Sequence, residues 1–295
     1  MSVAALRRSS DTGTLPLSRN HVPIALAAIA AAGLFAQPFY LLVRDWWTDS
    51  EAGHGLLLAP VALWLAWRSG LRADRAPSPW LGTLVLAAAV LLRYLGGLAA
   101  ELYTLRFSMV LALAGLTIFA WGLGQVRRWW LPFMLVALSI PLPNLVTSAL
   151  ALPLQFKASS MGAALLRWRE VPAALAGNVI QLPGRQLFVT EACSGLRSLT
   201  ALLSLGVLIA GLWLHSLPAR ALVVGLAIPV AIVVNAVRVF LTGFLVYFVD
   251  PRLGEGFMHL TEGWLLFVVA FAGLGALAWG AAALERRWLG ERSRA

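Results

Sequence analysis

The sequence predicts an all-α fold: a polytopic transmembrane bundle of about eight spans, with a small extracytoplasmic loop carrying an interfacial helix and a β-hairpin. Three observations predict it. Of the 295 residues, 60% are hydrophobic and only 12% are charged, a balance that would leave a water-soluble domain with too much apolar surface. Mean hydropathy is +0.81. The apolar residues are gathered into runs long enough to cross a bilayer, which takes about 20 residues per helix.

The first 20 residues are polar and carry Arg7, Arg8 and Arg19. They read as a cytoplasmic tail, residues 1–21, ahead of an uncleaved first span. Spans are expected at 22–43, 53–67, 79–99, 105–124, 129–149, 194–215, 221–249 and 257–284. The second is short for a full crossing and fits a tilted or partly interfacial segment. One transmembrane domain, 22–285, and a basic cytoplasmic tail, 286–295, complete the expected organisation.

Arginine placement orients the spans. The formal net charge is +10. The basic residues cluster between apolar runs, which fits the positive-inside rule better than nucleic-acid binding. With both termini inside, thirteen of the 23 basic residues fall in inner segments and seven in outer ones. Arg93, Arg197 and Arg238 lie within spans. Arg93 and Glu101 are expected to form a structural ion pair near the outer end of the third span.

The 150–192 segment is the only substantial loop. Leu152 to Trp168 reads as a helix on the membrane surface, with Lys157, Arg167 and Arg169 on its polar side. From Asn178 to Thr190, two short β-prone runs flank Pro183-Gly184, a hairpin signal. The hairpin delivers the chain to Glu191-Ala192-Cys193.

Cys193 is the only cysteine, so no intramolecular disulfide can form and a site with several thiolates is excluded. It lies in Glu191-Ala192-Cys193-Ser194-Gly195-Leu196-Arg197. Arg197, four residues on, shares a helical face with it if the helix has begun by then. A helix N-terminus and a guanidinium both favour the thiolate. The alternative is an inert buried cysteine. Arg238, three residues after Asn235 in an otherwise apolar run, is costly there and marks a functional position, unless it snorkels to the interface. His259 opens the last span, with Glu255 and Glu262 placed to fix its tautomer. An interfacial histidine is the plainer reading.

The topology puts Cys193, Arg238 and His259 on the outer side of three consecutive spans. A thiol, a cation for an oxyanion and a base are the parts an acyl-transfer site requires. Upstream, Trp46-Trp47-Thr48-Asp49-Ser50-Glu51-Ala52-Gly53-His54-Gly55 forms a second polar cluster on the same side. There His54 either reaches the site or a substrate or serves as an interfacial loop residue.

On these pieces the sequence resembles the exosortase/archaeosortase family. They are Trp47 through Gly55, Gly177-Asn178 with the Leu-Pro-Gly turn, the Cys-Ser-Gly-Leu-Arg block, Asn-x-x-Arg at 235–238, and His259. The resemblance implies an intramembrane cysteine transpeptidase with Cys193, Arg238 and His259 as its catalytic set. Supporting or substrate-binding roles fall to His54, Glu191, Ser194, Gly195, Arg197 and Asn235. It implies a multi-pass protein of the inner (cytoplasmic) membrane with an extracytoplasmic active site and no cofactor or metal. Its implied partners are exported proteins ending in a short motif such as Pro-Glu-Pro, a transmembrane helix and a basic tail. The extra C-terminal domain of some members is expected to be absent. A non-enzymatic transporter or scaffold in exopolysaccharide export accounts equally well for hydropathy and charge, but not for the convergence of thiol, cation and base.

Overall fold

The computed structural model describes residues 21–49, 51–74, 76–189, 195–250 and 256–292, with side chains described except at 21–23, 256–262 and 288–292. The helices are α1 (His21–Thr48), α2 (Gly55–Ser69), α3 (Pro79–Leu98), α4 (Leu102–Trp121), α5 (Leu123–Arg128), α6 (Trp130–Leu138) and α7 (Asn144–Trp168). Strands β1 (Ala174–Ala176), β2 (Val179–Leu182) and β3 (Arg185–Phe188) follow, then α8 (Leu196–Trp213), α9 (Leu217–Phe248) and α10 (Gly256–Arg292). Among the described residues, seven helices are long and apolar enough to cross a membrane. Six of them match expected spans, and the seventh is α7; the expected second span is the short α2, whose 15 residues reach about 22 Å.

Small residues bring the helices together, as expected where lipid supplies no hydrophobic drive and close packing must hold them. A Cβ built on Gly82 of α3 would fall 2.5 Å from the Phe119 backbone of α4, and one on Gly115 of α4 would fall 3.0 Å from Leu86 of α3. In α2, the buried Gly55, Leu58, Ala62 and Leu65 repeat at helical spacing and form the stripe that packs on α6. Leu202, Val223, Ala227, Leu274 and Ala278 make the core shared by α8, α9 and α10.

Polar contacts fall into two layers at opposite helix ends. In the arginine-rich layer, Arg128 donates to the Ser69 carbonyl at the end of α2, and Arg220 sits over the Trp130 ring. Glu285 of α10 accepts from the backbone N–H groups of His215 and Ser216, capping the start of α9. In the opposite layer, Trp46 Nε1 donates to the Ser139 carbonyl at 2.7 Å, and Arg106 pairs with Asp45 at 2.5 Å. The helix interiors between the layers are apolar, the pattern the bilayer demands.

The expected fifth span, 129–149, is not one helix. It stops at Leu138 and resumes at Asn144. Pro141 and Pro143 lack N–H donors and push the residues before them into extended conformation. The helix that follows is longer than expected, starting at Asn144 rather than Leu152. Gly162 of α7 meets Val239 and Phe240 of α9, and four residues later Leu166 meets Gly243. The two helices therefore run in the same direction. Where a surface helix was expected, length and composition make α7 a candidate span. Lys157, Arg167 and Arg169 are exposed, opposite the buried Ala158, Gly162 and Leu166.

The hairpin forms as expected, with Leu182 opposite Arg185 and only Pro183-Gly184 between. Proline fixes its own φ, and Gly184 takes a φ of +71°, which costs glycine nothing. A third strand, β1, pairs with β2 to give the order β1-β2-β3. Arg93 and Glu101 do not pair. Arg93 Nε donates to the Leu34 carbonyl at 2.8 Å, and Glu101 accepts from the Tyr103 and Thr104 N–H groups as the N-cap of α4. Each satisfies a backbone group that would otherwise be orphaned.

Candidate functional site

Cys193, Glu191 and Ser194 lie outside the described residues, and so does the side chain of His259. The flanking structure defines their setting. The sheet ends at Val189, which is buried and held on two sides by Asn178. The Val189 N–H donates to the Asn178 carbonyl at 3.0 Å, and Asn178 Nδ2 donates to the Val189 carbonyl at 3.1 Å. Ser159 Oγ of α7 donates to the Gly177 carbonyl at 3.3 Å, tying this turn to the helix beneath.

The chain is next described at Gly195, the N-cap of α8, with φ of +81°. A Cβ there would lie 2.7 Å from Asn235 Cγ. Glycine is required twice over, for the left-handed backbone and for the contact with α9. α8 starts at Leu196, directly behind this left-handed residue. Arg197 is exposed in the first turn of α8, and its expected partnership with Cys193 lies outside the described residues.

Asn235 and Arg238 lie on one face of α9, and Asn235 is buried. Arg238 is half-buried, with its guanidinium against Gly263 of α10: a Cβ on Gly263 would fall 3.3 Å from Cζ. Thr242 Oγ1 donates to the Arg238 carbonyl at 3.0 Å. His259 is four residues before Gly263 in α10, a spacing that puts both on one helical face. So α9 turns Asn235 toward the start of α8 and Arg238 toward the start of α10. Gly263 was not singled out in the sequence, although its place one turn after His259 was the available signal.

His54 makes its described contacts between two backbone carbonyls. Its Nδ1 faces the Glu51 carbonyl at 3.1 Å and its Nε2 the Leu138 carbonyl at 3.2 Å. A neutral imidazole donates to only one of these at a time. Burial lowers the His54 pKa, outweighing the two carbonyl contacts, which raise it. Asp49 accepts from the Glu51 N–H at 2.8 Å, and the Gly55 backbone presses on the Trp46 indole. The cluster thus makes its described contacts within the joint between α1, α2, α4 and α6. Among the described residues, no group of three or more His, Cys, Asp or Glu is placed to hold a metal ion.

The model of the transmembrane exosortase family (Exosortase_EpsH) matches residues 46–276. The chain belongs to this family. The match runs from the last residues of α1 through the sheet and into α10. Membership supports a membrane transpeptidase role in general terms. No curated protein and no solved structure gives a match.

Proposed function

We propose that this exosortase cleaves the C-terminal sorting signals of exported proteins through a thioester on Cys193. The Cys193 thiolate attacks the carbonyl carbon of the scissile peptide, and the C–N bond breaks as the tetrahedral intermediate collapses. Arg238 stabilises the oxyanion, and His259 gives a proton to the leaving amine. An amine nucleophile, or water, then gives a proton back to His259 as it attacks the thioester, and the C–S bond breaks to release the product and return the thiolate. Glu191, Ser194, Gly195 and Asn235 shape the pocket around the thiol. The reaction runs on the extracytoplasmic side of the inner membrane, where the substrate's transmembrane helix sets the height of the scissile bond.

The observation that carries this reading is the meeting of three helices around two glycines. Gly195, two residues beyond Cys193 in the chain, is packed on Asn235, and Gly263, one turn beyond His259, is packed on Arg238. The positions flanking thiol and base are thereby joined to the same face of α9. The test is a secreted reporter ending in Pro-Glu-Pro, an apolar helix and arginines, expressed with wild type or Cys193→Ala. The alanine variant should accumulate in the membrane and process none of the reporter. Undiminished processing by the accumulated variant rejects thiol catalysis.

A further inference from the structure

The sheet lies directly upstream of the reactive segment, and among the described residues no strand pairs with the outer edge of β3. α7 packs on β1 and β2. At β3, Arg185, Gln186 and Phe188 are exposed. The register fixes which backbone groups face outward. With a two-residue turn, Leu182 and Arg185 form the closing hydrogen-bonded pair. Bonding then alternates along the strand, so Arg185 and Leu187 point their N–H and C=O groups at β2. Val189 continues the alternation by donating to Asn178. Gln186 and Phe188 accordingly turn their N–H and C=O groups outward, the template an added strand uses.

Charge and shape at this edge select the occupant. An open cleft of about 470 Å³ at the hairpin tip is lined by Gln181, Leu182, Gly184, Arg185 and Gln186. Among the described residues Arg185 has no acidic partner; the ion pairs there involve other arginines and His215. The surrounding 150–192 segment carries Lys157, Arg167 and Arg169 besides Arg185, against two acids, Glu170 and Glu191. A carboxylate on an incoming chain would meet a guanidinium able to bind it in bidentate fashion.

We propose that β3 is the docking edge for the substrate: an extended, acid-bearing segment pairs with the Gln186 and Phe188 backbone while Arg185 receives its carboxylate. This rests on the reading of Cys193 as nucleophile, because it sets the direction. β3 runs toward Cys193, and the recognition segment precedes the scissile bond in the substrate. The two chains therefore pair in parallel, and the scissile bond follows β3 toward the thiol. Gln181, Gln186 and Phe188 line the outer face of the sheet and meet alternate side chains of the added strand.

The experiment uses the full-length protein in membranes and two reporters, the one above and a copy with lysine in place of its motif glutamate. Arg185→Glu should process the glutamate reporter at least about tenfold more slowly than wild type, the scale of one hydrogen-bonded charge pair, and should process the lysine reporter faster than wild type does. Gln186→Pro removes an outward N–H without breaking the β2–β3 ladder and should slow both reporters, whereas Gln186→Ala should slow neither. As a second measurement, a photo-crosslinking residue at Phe188 in the Cys193→Ala background should capture the reporter's motif, and one at Leu175 on β1 should not. Wild-type rates in Arg185→Glu and Gln186→Pro, or equal capture at both positions, overturn the docking edge. If Cys193→Ala is meanwhile inactive, the catalytic reading stands. Undiminished processing by Cys193→Ala would instead fail the catalytic reading, a separate result.

Discussion

Two polar clusters occupy the layer opposite the arginines, and they are built differently. In the joint around Asp45, Trp46 and His54, each polar side chain meets a partner on another element or in its own turn: Arg106 for Asp45, the Ser139 carbonyl for Trp46, the Glu51 and Leu138 carbonyls for His54. At the junction of α8, α9 and α10, the facing positions are glycines. Asn235 and Arg238 pack on the bare backbone of Gly195 and Gly263. The first arrangement clamps four helices. The second withholds side-chain volume beside a buried amide and a half-buried guanidinium. Both clusters read alike in the sequence, as polar residues at the ends of apolar runs. Their neighbours separate them.

The contrast breaks most sharply if the arginine at the glycine-lined junction proves dispensable. Arg238→Ala should lower processing by about two to three orders of magnitude, the scale of a lost oxyanion donor, with the protein still present in the membrane. Gly263→Val should push the guanidinium aside and cost about tenfold or more, while leaving alkylation of Cys193 by a small electrophile intact. Reporter turnover per membrane-bound enzyme measures both. Equal turnover in wild type and Arg238→Ala would place this junction with the clamps.

The joint should show the reverse, stability without chemistry. Asp45→Ala leaves Arg106 buried without its carboxylate and should cost about 3 kcal/mol or more, read as a lower thermal midpoint in detergent. The protein that remains folded should process the reporter at the wild-type rate. A large loss of rate per folded molecule would bring this joint into the site.

His54 gives the smallest effect. Its folded pKa is lowered by burial, so its contribution is present above the unfolded value of about 6.5 and is lost as pH falls below that value. The wild-type thermal midpoint should therefore drop between about pH 7 and pH 5, and His54→Gln should flatten the drop. Parallel curves for the two proteins would remove His54 from the pH response.

Much of the fold was legible because hydropathy reports span positions directly. α3, α4, α8 and α9 fall close to the expected ranges. The error at 129–149 came from reading hydropathy across Pro141 and Pro143, which interrupt the helix without interrupting the apolar run. β1 was illegible for another reason: Ala174-Leu175-Ala176 has little strand propensity of its own and is a strand because β2 offers it an edge. Asn235 and Arg238 stood out as polar residues in an apolar run. Gly263 did not, since a glycine in a membrane helix is common and only the opposing guanidinium gives it meaning.

The central claim is that substrate becomes covalently attached to Cys193. The most direct measurement is intact mass of the purified enzyme after mixing with the Pro-Glu-Pro reporter, followed by peptide mapping. The account predicts an adduct of the mass of the cleaved reporter, mapped to Cys193 and released by neutral hydroxylamine, as a thioester is. Processing that continues at full rate after Cys193 has been alkylated, with no adduct formed, would contradict it.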